Sequence, residues 1–224
     1  MVCALSVRER FPRLASKPFL TRLTASSVPA SLKAETTRPA TIPGSAYALF
    51  FSITVVGCLA DLLSKQATFA WLGLPSAKST WWLAEGYVGI QTAVNRGALF
   101  GIGQGLTAVF ATLSIGAGIG ILVWLFKYGA AHDRLLVTAL GCVMAGIAGN
   151  LYDRLGFWHT TTTPAEFHYG VRDWILLQWP PDHTWPNFNI ADSMLVCGAG
   201  LLIWHSLTQP PTTSADSVQT DDTN

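Results

Sequence analysis

The stretch FNIADSMLVCGAGLLIW, residues 188–204, contains the feature that decides the fold class of this chain. From Ser193 onward it is apolar apart from small residues, which is typical of a helix that crosses a membrane. Two polar residues, Asn189 and Asp192, stand at the start of this run. An ionisable side chain in a membrane helix is costly, so its position requires a structural or a functional explanation.

The composition also indicates a membrane protein. Of the 224 residues, 50% are hydrophobic and only 12% are charged, whereas soluble domains carry about 25% charged residues. The nine Trp and twenty Gly suit membrane interfaces and close helix packing. The net charge of +1 gives no indication of nucleic-acid binding, and the four cysteines show no C-x-x-C spacing. We therefore expect small buried cysteines, no disulfide framework, no metal site and no cofactor.

Four apolar runs are long enough to cross a bilayer, which takes about 17–25 residues. Each is expected to be a helix, because an isolated strand would leave its backbone groups unpaired in lipid. The predicted fold class is an all-α membrane protein, with four transmembrane helices and small extracytoplasmic strand or loop elements. Small residues are expected to let the helices approach closely: Gly116, Gly118, Gly120 and the pair Ala145 and Gly149. The predicted spans are 46–63, 106–126, 135–152 and 188–207.

Lys and Arg favour the cytoplasmic side of a membrane, so their distribution predicts the orientation. They are concentrated before the first span and in the short link between the second and third spans, which holds Lys127 and Arg134. Both termini are therefore expected in the cytoplasm, with the loops 64–105 and 153–187 on the outer side.

The same reasoning divides the chain into a membrane domain of residues 45–207 and two tails. Residues 1–44 and 208–224 are polar and contain Pro, Ser and Thr, which predicts disordered cytoplasmic segments. The first tail is also rich in Arg and poor in acids, so a targeting role remains open for it.

With this topology, polar residues collect at the outward ends of the spans. Asn189 and Asp192 have the spacing of a helix cap and its third-residue partner, so a purely structural role is possible for them. Asp61 and Asp153 would end helices, where the helix dipole disfavours an anion. Arg154 could neutralise one of the acids, and Lys65 could extend its side chain towards the interface. The whole set is Asp61, Asn95, Asn150, Asp153, Arg154, Asn189 and Asp192.

Asp173 lies in the outward loop, within the apolar frame GVRDWILL of residues 170–177. The alternation there predicts a short strand or an interfacial segment that could bring Asp173 beside Asp192; a solvated loop carboxylate is the alternative. Two carboxyl groups that share a poorly solvated site cannot both ionise cheaply, so one holds a proton while the other is a base. Such a pair can hydrolyse an amide. The chain contains neither H-E-x-x-H nor G-x-S-x-G, so zinc and serine mechanisms have no support.

These residues carry a specific resemblance. The ordered motifs DLLSK (61–65), VNRGALFG (94–101), GNLYDRL (149–155), GVRDWI (170–175) and FNIADS (188–193) resemble those of the lipoprotein signal peptidase, or signal peptidase II, family. The resemblance covers about residues 46–206 and implies a four-span bacterial aspartyl protease of the cytoplasmic (inner) membrane, with its active site at the outer face. It implies Asp173 and Asp192 as the catalytic pair. Matched to the same motifs, the supporting or substrate-binding residues are Asp61, Lys65, Asn95, Gly97, Asn150, Asp153, Arg154 and Asn189.

The resemblance also implies the substrate and partners. The substrate is a prolipoprotein whose Cys carries diacylglycerol, and the cut falls just before that Cys. The partners are such prolipoproteins and membrane lipids, with no nucleic acid, and the enzyme is expected to be a monomer.

The chain departs from the family pattern at three places: a longer loop at 156–170, Trp174 in place of Phe, and the N-terminal extension. A different class, a small proton-coupled carrier or an assembly subunit with acids in the membrane, is the alternative. Carriers tend to hold charges at mid-bilayer and to contain repeated halves. Here the acids collect at one face and no repeat is visible.

Overall fold

A computed structural model describes residues 41–97, 103–179 and 183–209. The predicted tails, 1–44 and 208–224, lie almost entirely outside these residues. The described elements follow one another as α1 (Gly44–Leu72), β1 (Thr80–Ala84), β2 (Val88–Asn95), α2 (Thr107–Leu122, continued by a π-helical turn Val123–Lys127), α3 (Arg134–Arg154), β3 (Val171–Trp179), β4 (His183–Thr184) and α4 (Ile190–Thr208).

Within the described residues, four helices are long and apolar enough to span a membrane, as the hydropathy predicted. Three of them match the predicted spans to within two residues at each end, but α1 is longer. It continues past Asp61 and ends at Leu72, where Gly73 adopts a positive φ of 76°. The prediction that Asp61 ends the first span was therefore wrong. The residues after Asp61 are good helix formers, and the charge of Lys65 lies on the same helical face one turn later.

The third helix, α3, lies against the other three helices. Half of its most apolar window is buried inside the protein, against 11–22% for the other spans, so those helices expose more of their surface to lipid. Ala145 and Gly149 face α1 and α4 closely, as predicted: a Cβ added at Gly149 would contact Asp61 and lie 3.2 Å from the Cβ of Ala191. The prediction was wrong for Gly116 and Gly120, which have nothing within 4 Å of that position.

The cysteines partly differ from the prediction. Cys58 and Cys142 are half-buried and unpaired, but Cys197 is exposed on α4. An apolar run predicts membrane insertion, but the side of the helix that faces lipid depends on the neighbouring helices. The exposure of Cys197 could therefore not be predicted from the run alone.

At the end of the bundle away from the predicted site, Asp133 caps α3. Its Oδ1 accepts hydrogen bonds from the backbone N–H groups of Leu135 (2.8 Å) and Leu136 (3.0 Å). Its Oδ2 lies 2.7 Å from Nε2 of His205, near the end of α4. The hydrogen bond from Leu136 and the proximity of His205 hold the pKa of Asp133 below its usual value.

A four-stranded antiparallel sheet, in the order β1-β2-β3-β4, is formed by the segments outside the helices. The strand predicted around Asp173 is β3, whereas the β1–β2 hairpin lies within what was predicted only as the loop 64–105. Strand β2 pairs with β3 so that Ala93 is opposite Asp173. Backbone N–H groups of Trp174 (3.0 Å) and Ile175 (2.8 Å) donate to the carbonyl of Phe188. This pairing brings Asp173 to the beginning of α4.

The long loop between α3 and β3 is ordered by local contacts. Gly156, at the start of this loop, adopts a positive φ of 76°. The indole Nε1 of Trp158 donates to the carbonyl of Gly170 (3.1 Å), and the rings of His159 and His168 stack with their centres 3.9 Å apart. The loop therefore folds back towards the start of β3.

Candidate active site

Asn189 connects the two acids Asp173 and Asp192. Its side-chain Nδ2 donates to Oδ1 of Asp173 (2.6 Å), and its backbone N–H donates to Oδ2 of Asp192 (3.2 Å). In return its Oδ1 accepts the backbone N–H of Asp192 (2.8 Å), which completes a capping box at the start of α4. The predicted capping role is thus confirmed, and the same residue holds the Asp173 carboxyl beside the capped helix end.

Asn150, on α3, supports Asp192 from the other side. Its Nδ2 donates to Oδ1 of Asp192 (2.8 Å). Its Oδ1 accepts two hydrogen bonds, one from Nζ of Lys65 (2.9 Å) and one from Nδ2 of Asn189 (3.1 Å). The amide of Asn150 is therefore fixed in one orientation, because exchanging its O and N atoms would oppose donor to donor.

A buried ion-pair network lies behind Asn150. Nζ of Lys65 lies 2.7 Å from Asp61 and 3.3 Å from Asp153, and all three side chains are fully buried. The expectation that Lys65 extends to the interface was wrong, because both of its anionic partners lie inside the bundle. Asp61 also accepts the backbone N–H of Ala191 (2.8 Å), which ties α1 to the first turn of α4.

The two acids differ in their exposure. Asp173 is only 3% exposed, whereas Asp192 is half-buried. Burial, and then the negative charge of Asp192, raise the pKa of Asp173 well above its usual value of 3.8. Both side chains line a cleft of about 320 Å³, together with Asn95, Asn150 and Arg154. The arrangement combines a deeply buried carboxyl whose pKa is raised with a second carboxyl that is open to the cleft.

Asn95 and Arg154 line this cleft, and both contact Gly97. Oδ1 of Asn95 accepts the backbone N–H of Gly97 (2.9 Å), and Nη2 of Arg154 lies 3.5 Å from the carbonyl of Gly97. The Arg154 guanidinium also lies over the ring of Phe110, 5.7 Å from its centre. The structure therefore brings Asn95 and Arg154 into the same cleft as the two acids, and the predicted set lies together at one end of the bundle.

Arg172 was not among the predicted residues, and the neutralisation of an acid was predicted for Arg154 instead. Arg172 is 2% exposed, and its Nη2 pairs with Oδ1 of Asp153 (2.8 Å). The available signal was an Arg inside the apolar alternation of GVRDWILL, because a cation in such a position requires a buried acid as its partner. The sequence could not identify that acid, which lies 19 residues away.

Comparisons with known proteins agree with this architecture. The sequence profile of the signal peptidase (SPase) II family matches residues 53–208. A lipoprotein signal peptidase of Rhodopirellula baltica is 52% identical over 167 residues, which is 75% of this chain and 75% of that protein. One of Burkholderia mallei is 32% identical over 171 residues, covering 73% of this chain and 90% of that protein.

A solved bacterial membrane enzyme structure shares the fold. It superposes with a TM-score of 0.58 at 22% identity, covering 80% of this chain and 97% of the other. The fold and the sequence matches together define a membrane-spanning aspartic peptidase. The chain belongs to the signal peptidase II family. The alternative of a proton-coupled carrier or assembly subunit is not favoured by these matches.

Proposed function

We propose that this protein removes signal peptides from diacylglyceryl-modified prolipoproteins, cutting just before the lipidated Cys, with Asp173 and Asp192 as its catalytic pair. The observation that carries the proposal is the double contact of Asn189, which donates to Asp173 (2.6 Å) and to Asp192 (3.2 Å). One amide thereby holds both carboxyl groups at the mouth of a membrane helix.

The difference in environment assigns the two roles. Asp173 is buried and its pKa is raised, so it carries the shared proton and acts as the general acid. Asp192 is open to the cleft and acts as the general base that takes a proton from the attacking water. Asp173 donates its proton to the oxygen of the scissile carbonyl as water adds, which gives a tetrahedral diol. As the C–N bond breaks, the proton that Asp192 has gained goes to the departing α-amine of the lipidated Cys, and one hydroxyl of the diol returns a proton to Asp173.

Charge balance supports a pair with one proton. The site and its support contain three cations and four acids, and buried charges are costly unless they are compensated. The network is neutral when the two catalytic carboxyls together carry a single negative charge. The cations are Lys65, Arg154 and Arg172, and the acids are Asp61, Asp153, Asp173 and Asp192.

A second cleft supports recognition of the lipid. It has a volume of about 580 Å³ and shares Arg154 with the cleft of the two acids. Its apolar side is formed by α2, including Ala111 and Ile115, and its polar rim includes Arg96 and Arg154. An amphiphile with acyl chains along α2 and its ester groups at the rim would suit this shape. Burying acyl chains contributes about 0.8 kcal/mol per CH₂, which anchors the Cys at the level of the catalytic pair.

The decisive experiment measures cleavage of a lipidated precursor by the full chain reconstituted in lipid bilayers. Asp173→Asn and Asp192→Asn should each lower turnover by roughly 10²–10⁴-fold, because each removes one half of the acid–base pair. Asp133→Asn is the matched control, since it removes an acid at the opposite end of the bundle and should retain turnover. Near-normal turnover in either site variant would remove that residue from the pair. A precursor with a free Cys should be cleaved far more slowly, and equal rates would contradict the role of the lipid.

The orientation forms part of the proposal. The basic residues before α1 and in the α2–α3 link favour a cytoplasmic location for both termini, with the catalytic pair at the outer face of the inner membrane. In a background without native cysteines, Thr161→Cys should react with an impermeant thiol reagent on intact cells. Tyr128→Cys, exposed at the other end of the bundle, should react only after lysis. The reverse pattern would invert the orientation.

A monomer is the expected state, because the described residues of one chain supply both acids, their supports and both clefts. Sedimentation in detergent should give the mass of one chain.

A further inference from the structure

Arg172 has the largest of the fully buried side chains among the described residues. It precedes Asp173 in β3, and successive strand residues point to opposite faces. Asp173 therefore faces Asn189, whereas Arg172 faces the end of α3 and the beginning of the long loop. The Arg172 side chain is 2% exposed, so its charge depends on protein partners for compensation.

The guanidinium is held on all sides. Nε (3.1 Å) and Nη2 (2.8 Å) both donate to Oδ1 of Asp153, and Nη1 donates to Gln66 (3.3 Å). The ring of Trp158 lies over it at 5.2 Å and that of Phe69 at 6.0 Å. Trp158 comes from the long α3–β3 loop and is itself bound to the carbonyl of Gly170 (3.1 Å). The loop thereby covers the guanidinium and excludes water from its pair with Asp153.

Two routes connect Arg172 to the catalytic pair. The first runs through the backbone, because the N–H of Arg172 donates to Oδ2 of Asp153 (2.9 Å) and so fixes the strand one residue before Asp173. The second runs through side chains. Asp153 lies 3.3 Å from Lys65, and Lys65 donates to Asn150 (2.9 Å), which holds Asp192.

We propose that Arg172, covered by Trp158, is a positioning residue that neutralises Asp153. Lys65 can then keep its hydrogen bond to Asn150, and Asn150 in turn holds Asp192. This inference rests on the proposed function, because it assumes that Asp173 and Asp192 are the catalytic pair. Without Arg172, Lys65 would be the one remaining ion-pair partner of Asp153 among the described residues, with Arg154 acting on Asp153 from a longer distance. Lys65 would then move towards Asp153, and the orientation of Asn150 would be lost.

The charge of Arg172 also acts on the catalytic pair through Asp153, which is its ion-pair partner and interacts electrostatically with Asp173. Removing a cation from a poorly solvated network makes every nearby carboxyl harder to ionise. Both limbs of the pH–rate profile should therefore move to higher pH when Arg172 is neutralised. The other charged groups of this network are Asp61 and Lys65 on α1, Asp153 and Arg154 on α3, and Asp192 on α4.

The test compares turnover, KM and the pH–rate profile for variants of the full chain in bilayers. A misplacement of about 1 Å in a catalytic group can cost roughly 10²-fold. Arg172→Met should accordingly lower kcat by roughly ten- to hundredfold with little change in KM, and should shift the profile to higher pH. Arg172→Lys keeps the charge, so its profile should stay in place while its kcat falls less.

The double variant Arg172→Met with Asp153→Asn separates charge compensation from packing. It removes one charge of each sign, so the pH–rate profile should return to its original position and part of the lost kcat should recover. Trp158→Leu should shift the profile in the same direction as Arg172→Met but by less. Thr161→Ala, an exposed change in the same loop, is the matched control and should leave the kinetics unchanged.

The outcomes distinguish the two proposals. Wild-type kcat and pH profile in Arg172→Met, with Asp173→Asn inactive, would overturn the role of Arg172 alone. Activity in Asp173→Asn would overturn the catalytic pair itself. Arg172 would have a packing role if Arg172→Met and Arg172→Lys were both less stable to heat, with an unchanged pH–rate profile and no recovery of kcat in the double variant. That result would also contradict the inference. If Arg172→Met fails to insert, the pH–rate profiles of Trp158→Leu and Arg172→Lys are compared with that of Thr161→Ala. A shift to higher pH in Trp158→Leu but not in Arg172→Lys supports the inference, and an unshifted profile in Trp158→Leu contradicts it.

Discussion

Gly149 on α3 is the position where the smallest change should disturb the site most. A methyl group in Gly149→Ala would contact Oδ2 of Asp61, lie 3.0 Å from its Cγ and lie 3.2 Å from the Cβ of Ala191. Asp61 cannot withdraw freely, because it is paired with Lys65 (2.7 Å) and accepts the N–H of Ala191 (2.8 Å). The variant must therefore separate α1 and α4 from α3, or break one of these contacts.

The expected loss of stability follows from three contributions. Overpacking of a dense interior costs about 1–3 kcal/mol. Loss of the hydrogen bond to the charged Asp61 costs about 1.5–3 kcal/mol. The higher helix propensity of Ala offsets about 1 kcal/mol. The free energy of unfolding of Gly149→Ala should therefore fall by roughly 1.5–5 kcal/mol.

The assay combines thermal unfolding in detergent with cleavage of the lipidated precursor. Gly116→Ala on α2 is the matched control, because its new methyl group would meet nothing within 4 Å and should leave stability equal or slightly higher. Gly149→Ala should unfold at lower temperature and cleave slowly, since Ala191 adjoins Asp192. A variant at Gly149 with wild-type melting temperature and turnover would show that the close approach of Asp61 to Gly149 does not constrain the packing of α3.

Three further predictions concern the charged groups. Because the folded state raises the pKa of Asp173, stability is lost as pH rises through that raised pKa. The melting temperature of Asp173→Asn should therefore exceed that of the wild type at pH near 8, and the two melting temperatures should converge towards pH near 4. A difference in melting temperature that stays constant with pH would contradict burial of the ionisable carboxyl. Lys65→Met should lower the unfolding free energy by about 3–5 kcal/mol, with partial recovery on adding Asp61→Asn; an unaffected melting temperature would mean that the acids do not depend on Lys65. Asp133→Ala should cost about 0.5–2 kcal/mol in unfolding experiments while cleavage persists, and loss of cleavage would indicate coupling between the two ends of the bundle. The contribution of Asp133, whose pKa is lowered, should disappear as pH falls through that pKa.

The helices could be predicted because membrane insertion depends on local properties. Hydropathy over about twenty residues and the need to pair every backbone group within the span are both properties of a continuous segment. The prediction failed at the end of α1, where polar residues after Leu63 suggested that the helix had ended. Those residues remain helical because Lys65 is neutralised by Asp61 and Asp153, and Asp153 comes from another helix.

The β1–β2 hairpin shows a similar limit. Its sequence was predicted only as part of the loop 64–105, since short strands outside the membrane have a weak pattern. Pairing of β2 with β3 stabilises it, and that partner lies far along the chain.

The amino-acid sequence alone was enough to predict the four spans, the collection of polar residues at their ends, and the motifs that implicate Asp173 and Asp192. These follow from residue type and spacing along one segment at a time. The folded structure was needed to see which charges pair. It assigned Asp153 to Arg172 rather than Arg154, buried Lys65 instead of exposing it, and made Asn189 the link between the two acids. The physical reason is that ion pairing depends on distances of a few ångströms between side chains on different elements. Those distances are fixed by helix packing around Gly149 and by the register of β3, and neither is encoded in any single stretch of the chain.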